Sequence, residues 1–334
     1  MTRWLFLFLP LLGSAQSFTH SQVGQWAHSA NVDSLQLYFS SNPDWSEKIS
    51  IEEIEFENLT LASSFLDGNE FKDYLSSCRK LTSVALSTAF NYALQKEKFG
   101  NAKTLLGHDQ FDPDVPCSVC HGRTPVQQSI LTTEGGSLVE SSWEKSQKKW
   151  GYTDDGGNST FYYAVVAQEP FLLAQVNPEL LKLHGHAVNS DGITPFMFAA
   201  AKGMETLFLD IIKSQDAPPI NYRKHISVDG QSLLSAAIYG ANETIINWYL
   251  NKFGYDAAIW SASPNSLGLL EGLFAGNPLG FSLIVENPEF SELVGEAFIS
   301  ILNKNKDGLG LIALGIKEGW IDDTLIGLIY EIIA

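Results

Sequence analysis

The chain has 334 residues, 45% hydrophobic and 18% charged, a composition that excludes an intrinsically disordered chain. Its 21 basic and 38 acidic residues leave a net charge of −17. That balance excludes a surface built to neutralise nucleic-acid phosphates or anionic lipid, which needs Lys and Arg, and suits a soluble protein with a basic partner.

Residues 1–17 read as a secretory signal peptide. Arg3 is the basic start, 4–12 the apolar stretch, and Ala15-Gln16-Ser17 puts small residues where a signal peptidase reads, with cleavage before Phe18. The apolar stretch is too short to span a bilayer, which takes about 20 residues. No later segment qualifies, since 309–334 is interrupted by Lys317, Glu318, Asp322, Asp323 and Glu331. The expected destination is secretion or the lumen of the secretory pathway. Sequons at Asn58, Asn158 and Asn242 are glycosylation candidates in a eukaryotic host. Phe18 after the cut resembles the bipartite plastid signals of algae with secondary plastids, although the residues that follow lack basic character. A plastid destination is the alternative.

Beyond the leader, internal repetition organises the chain. Residues 27–39 read as a turn and a helix, and Asp67-Gly68-Asn69-Glu70-Phe71 opens another. The alternating Ile51-Glu52-Glu53-Ile54-Glu55-Phe56-Glu57 reads as an exposed acidic edge. Residues 88–106 read as a pair of helices. Gly122-Arg123-Thr124-Pro125 then opens a unit, Gly157-Asn158-Ser159-Thr160 a second, and Asp191-Gly192-Ile193-Thr194-Pro195 the clearest one. Thr194 can cap a helix, and Pro195 fits the first helical position, where a missing N–H costs nothing. Ala199 and Ala200 are small where helices approach, Gly203 permits a left-handed turn, and Leu207, Phe208, Ile211 and Ile212 give a second helix its apolar stripe. Asp229-Gly230-Gln231-Ser232 and Asp307-Gly308 open further units. Segments 135–156 and 216–227 read as insertions on a binding face.

These motifs resemble the ankyrin-repeat pattern of a hairpin, Thr-Pro, a helix pair and a glycine turn, most closely over 118–253. Tetratricopeptide and armadillo arrays need no Asp-Gly hairpin before each pair. The expected fold is therefore an all-α solenoid of helix pairs joined by short β-hairpins or turns, covering 18–334. Its clearest repeats are 82–108, 118–150, 155–185, 189–216, 228–253 and 305–334, among roughly eight or nine units. Gln127, Met197 and Ser235 stand where the family pattern has the His that steadies the hairpin. The resemblance implies recognition of a protein partner through hairpin tips and inner helices, with Arg123, Asp191, Ile193, Asp229 and Gln231 as candidate contacts.

Candidates for chemistry are sparse. Cys117-Ser118-Val119-Cys120-His121 has the spacing of a c-type haem attachment site, but it falls in a hairpin, and a second axial ligand is scarce. A Cys117–Cys120 disulfide is the better reading in an oxidising compartment, with a bridge from Cys78 to one of the two as the next. Zinc would need a fourth ligand, and a calcium loop beginning at Asn303 lacks its glutamate, with Leu314 in that place. Asp154-Asp155 reads as a turn, and His184 and His186 as a solvated loop. No nucleophile–base pair or phosphate loop emerges, so binding without catalysis, cofactor or metal is expected. The end of the chain, 324–334, is apolar nearly all round, which points to docking on a partner or another subunit, or to cover by an earlier segment. A structural subunit of a larger assembly is the alternative role.

Overall fold

The computed structural model describes residues 18–51, 54–132, 136–215, 218–229, 231–240 and 242–253. The expected leader, the loop beginning at Asn303, the unit at 305–334 and the apolar end lie outside them. The chain divides into two compact units between Lys148 and Lys149, and each is described by itself. Among the described residues there are fifteen α-helices and one two-stranded sheet, so the fold is mostly helical.

The N-terminal unit runs α1 (His20–His28), α2 (Val32–Ser41), β1 (Lys48–Ile51), β2 (Ile54–Glu57), α3 (Asn58–Phe65), α4 (Gly68–Ser77), α5 (Ser83–Gln95), α6 (Phe99–Leu106), α7 (Pro125–Ile130) and α8 (Gly136–Lys145). Hydroxyls and a carboxylate start several of these helices. Thr19 accepts from the Gln22 N–H, Asp67 from Asn69 and Glu70, Thr82 from Ala85, and Thr124 from Gln127. Each such cap is worth about 1 kcal/mol. Pro125 follows the Thr124 cap, where it removes no intrahelical bond. The helices pack in alternation: α3 lies on α5 and α5 on α7, while α2 meets α4, α4 meets α6, and α6 meets α8. Phe39, Phe71, Phe90, Leu59 and Leu86 fill the core between them.

The acidic stretch is not a plain exposed edge. Residues 54–57 form β2, paired antiparallel with β1 so that Ile49 faces Phe56. Both side chains are buried, and Phe56 packs on Tyr92 at 5.0 Å between ring centroids. Ile54 and Glu55 stay outside, where Glu55 meets Lys48 at 3.2 Å. A period of two is a strand signal, and here it marks a hairpin covering α1 and α3. The segment expected as an insertion at 135–156 is in part helix: Leu138, Val139 and Trp143 of α8 are buried, and α8 completes a pair with α7.

The C-terminal unit runs α9 (Thr160–Val166), α10 (Pro170–Leu173), α11 (Pro178–His184), α12 (Pro195–Ala201), α13 (Glu205–Lys213), α14 (Leu233–Tyr239) and α15 (Glu243–Phe253). Ser159, Thr194 and Ser232 cap α9, α12 and α14, each accepting from the N–H three residues on. Again the first helices stack, α9 on α12 and α12 on α14, and the second helices stack, α11 on α13 and α13 on α15. In the 155–185 unit the second helix is broken in two. Pro178 cannot continue a helical bond ladder, and Asn177 caps a fresh start by accepting from the Leu180 N–H. Phe196 stacks on Phe208 at 4.3 Å, and Trp248 meets both edge-on. No described helix is long and apolar enough to cross a membrane.

In four of the helix pairs the turn between helices uses one left-handed residue. It is Gly203 (φ 62°) between α12 and α13, but Ala30 (φ 52°), Glu97 (φ 58°) and Gln168 (φ 52°) elsewhere. A Cβ on Gly203 would also sit 2.8 Å from the Gly240 carbonyl oxygen. Gln168→Gly is therefore expected to stabilise the protein by about 0.5–1 kcal/mol, and Gly203→Ala to destabilise it by about 1–3 kcal/mol. Urea midpoints of the two variants against the parent chain check both signs.

Candidate functional site

The strongest candidate is the set of hairpin tips that precede the first helices, with the helix faces beside them. One geometry recurs. The backbone N–H of Cys117 donates to the Arg123 carbonyl, that of Asp154 to Asn158, that of Asn189 to Ile193, and that of Ser227 to Gln231, all at 2.8–3.2 Å. The residue preceding the accepting one is left-handed in the first three: Gly122 (φ 71°), Gly157 (φ 72°) and Gly192 (φ 79°).

A polar side chain closes the three tips of the C-terminal unit from inside. The Asp154 carboxylate accepts from the N–H groups of Gly156 and Asn158, and the Asn189 carbonyl oxygen accepts from Asp191 and Ile193. The Ser227 hydroxyl accepts from Gln231. Tyr163 of α9 donates to Asp154 as well. The first tip has cysteine at this position, which cannot do that work. Its loop is longer, and Cys117 and Cys120, both buried, are joined by a disulfide with their Cα atoms 5.1 Å apart. Asn91 of α5 steadies it by donating to the Arg123 carbonyl at 2.8 Å.

The tips of the C-terminal unit bond to one another. The Ser190 N–H donates to the Gly156 carbonyl at 2.9 Å, and the Val228 N–H to the Asp191 carbonyl at 2.7 Å. Asn189 reaches the Asn158 side-chain oxygen at 2.8 Å. His225 Nε2 lies 2.7 Å from the Gly192 carbonyl; only an N–H can bond there, so that nitrogen carries the proton. The stretch expected as an insertion at 216–227 is thus in part a brace. Its Tyr222 is buried, and the hydroxyl bridges His186 Nδ1 at 2.6 Å and the capping Thr194 hydroxyl at 3.3 Å. His186 is not in a solvated loop: it packs edge-on against Phe196, and its Nε2 has no hydrogen-bond partner among the described residues. Burial pulls its pKa down to about 4, and burial lowers half-buried His184 as well.

Four of the five residues expected at the interface, Asp191, Ile193, Asp229 and Gln231, fall on two neighbouring tips of the C-terminal unit. Asp191, Asp229 and Gln231 are exposed and Ile193 is half-buried. Arg123, half-buried, belongs to the disulfide-closed tip of the N-terminal unit. Asp155, exposed on the tip before Asp191, joins the aspartates and was read only as part of a turn. Also missed was an aromatic series on the open faces of the first helices: Tyr162 of α9, Phe198 of α12 and Tyr239 of α14. Tyr162 and Phe198 lie 5.9 Å apart, Tyr239 is 56% exposed, and Lys202 Nζ sits 5.5 Å from the Phe198 ring centre. Burial, then Asp191 and Asp154, push the Tyr162 hydroxyl above its ordinary pKa. Such a surface offers carbonyls, carboxylates and ring faces, groups that recognise cations.

The sequon asparagines are structural groups. Asn58 is fully buried, and its amide donates to the Tyr38 hydroxyl, the Asp44 carbonyl and Glu47. Asn158 donates to Asp154 within its tip, and Asn242 caps α15 while donating to Glu205 at 3.1 Å. Cys78 is a half-buried free thiol whose pKa burial pushes up to about 11. The haem reading does not fit Cys117 and Cys120, because thioether attachment needs two accessible thiols and these are buried and bonded to each other. Among the described residues no group of three His, Cys, Asp or Glu could hold a metal ion.

Closing so small a ring removes about 2 kcal/mol of chain entropy from the unfolded state. Reduction, or C117A/C120A, is expected to lower stability by that amount, read as a drop in urea midpoint. His186 gives a pH dependence whose sign is fixed: the unfolded imidazole titrates near 6.5 and the folded one near 4, so the unfolded chain binds more protons between them. Stability is therefore full above about pH 6.5 and falls as pH drops toward 4. Denaturation midpoints at pH 7 and pH 5 should converge in His186→Phe, leaving the smaller share that belongs to His184.

Comparison with known proteins adds no relative: no protein-family model matches this sequence, and no curated protein matches it significantly.

Proposed function

We propose that this protein is an exported, ankyrin-like solenoid that binds a basic protein partner and performs no catalysis. The observation that carries this reading is the hydrogen-bonded series of tips in the C-terminal unit, which carries exposed Asp155, Asp191 and Asp229, with Tyr162 and Phe198 on the helices that follow the first two. Alternating packing of first and second helices within each unit supports a repeat stack, since each pair covers the apolar stripe of its neighbour. The resemblance of 118–253 to ankyrin repeats supports recognition through tips and first helices, and the net charge of −17 favours a cationic partner. Lys202 over Phe198 is an internal instance of the same contact.

The test compares affinity capture from the source organism by the parent chain and by D155K/D191K/D229K, with circular dichroism to verify helix content. These carboxylates are exposed, so reversal leaves the tip hydrogen bonds in place. Basic proteins retained by the parent and released by the variant, an affinity loss of about 100-fold or more, are expected. An identical captured set from both proteins would refute the reading.

A further inference from the structure

The C-terminal unit also carries a cleft on its second-helix side, away from the tips. It has a volume of about 620 Å³ and lies between Leu173 and Leu181 on one side and the start of α13 and α15 on the other, lined there by Glu205, Leu207, Asp210 and Asn242. No Lys, Arg or His is among its lining residues. We propose that this cleft binds the side chain of an arginine or lysine presented by a partner.

Three features fit that occupant. The apolar wall suits the methylene stem of a long basic side chain, which buries its carbons while its charged head seeks an acceptor. Glu205 is positioned: one carboxylate oxygen accepts from Asn242 Nδ2 at 3.1 Å, and Asn242 is itself fixed by capping α15 through Ile245. The other oxygen, Oε1, has no hydrogen-bond partner among the described residues. Asp210 stands further along α13, exposed, and its contact with Lys213 is a 3.7 Å pair between solvated groups, which a desolvated partner charge displaces. The helix starts oppose this in part. The N-termini of α13 and α15 each contribute about half a positive charge, so the two carboxylates keep roughly one negative charge in excess only once Lys213 is displaced from Asp210.

The inference does not rest on the tip surface, and one experiment separates the two. Acetyl-arginine amide and its neutral isostere acetyl-citrulline amide are titrated into methyl-labelled full-length protein, with the methyls of Leu173, Leu181, Met204 and Leu207 followed by NMR. Saturable shifts with the arginine probe are expected, with binding about tenfold weaker for citrulline and about tenfold weaker in E205Q/D210N. Gln at 205 keeps the oxygen that Asn242 needs; should the double variant lose its fold, D210N alone, at an exposed site, carries the same comparison. L207K, which places an ammonium group in the cleft, should abolish the shifts, and D155K/D191K/D229K should leave them unchanged. Equal binding of both probes, parental binding by E205Q/D210N, loss of binding in the tip variant, or no saturable shift would each overturn the proposal.

Discussion

Helices of six to thirteen residues, such as α7 and α5, cannot persist alone in water, because the cost of nucleating a helix is recovered only over a longer run of hydrogen bonds. Every element here therefore depends on burial against the next. The packing of α3 on α5 and α5 on α7, and of α9 on α12 and α12 on α14, supplies that burial. The caps set where each helix begins, and so which face meets its neighbour. In α7 every residue from Pro125 to Ile130 is buried, so a shift in its start would drive a buried side chain against the wrong partner.

One turn geometry is reached by different chemistry. A carboxylate at 154, an amide at 189 and a hydroxyl at 227 each satisfy N–H groups that the tight loop leaves without backbone partners. At 117 a thiol is too weak an acceptor, and a covalent link in a longer loop holds the shape. The 189–193 hairpin has a further tie, where His225 reaches the Gly192 carbonyl from the following segment. That bond couples the 189–193 tip to the segment that leads into the next one.

Legibility in the sequence followed from how local each signal is. Thr124-Pro125, Thr194-Pro195 and Gly203 mark a cap, a first helical turn and a left-handed residue, all decided within a few residues. Helix α3 was not readable, because Asn58 through Ser64 are all buried and such a helix has no polar face to reveal a period. The break between α10 and α11 was signalled by Asn177-Pro178, but within a repeat frame it is easily passed over. Asp191 and Asp229 stood out through their Asp-Gly pairs. Tyr162, Phe198 and Tyr239 did not, since which face of a first helix stays open is settled only once its neighbours stack. The His186–Tyr222 bond joins residues far apart in the chain, which no window could link.

The burial of Asn58 carries a consequence for the life history of the molecule. An oligosaccharide is joined to an asparagine on the emerging chain, before helices α3 to α5 exist to enclose it. The same nitrogen is later needed by Tyr38, Asp44 and Glu47, and Asn58 itself keeps no exposed surface. On the proposed secretory route, sugar attachment and closure of the N-terminal core would be mutually exclusive at this position, and the folded molecules would be those that the transferase passed over at Asn58.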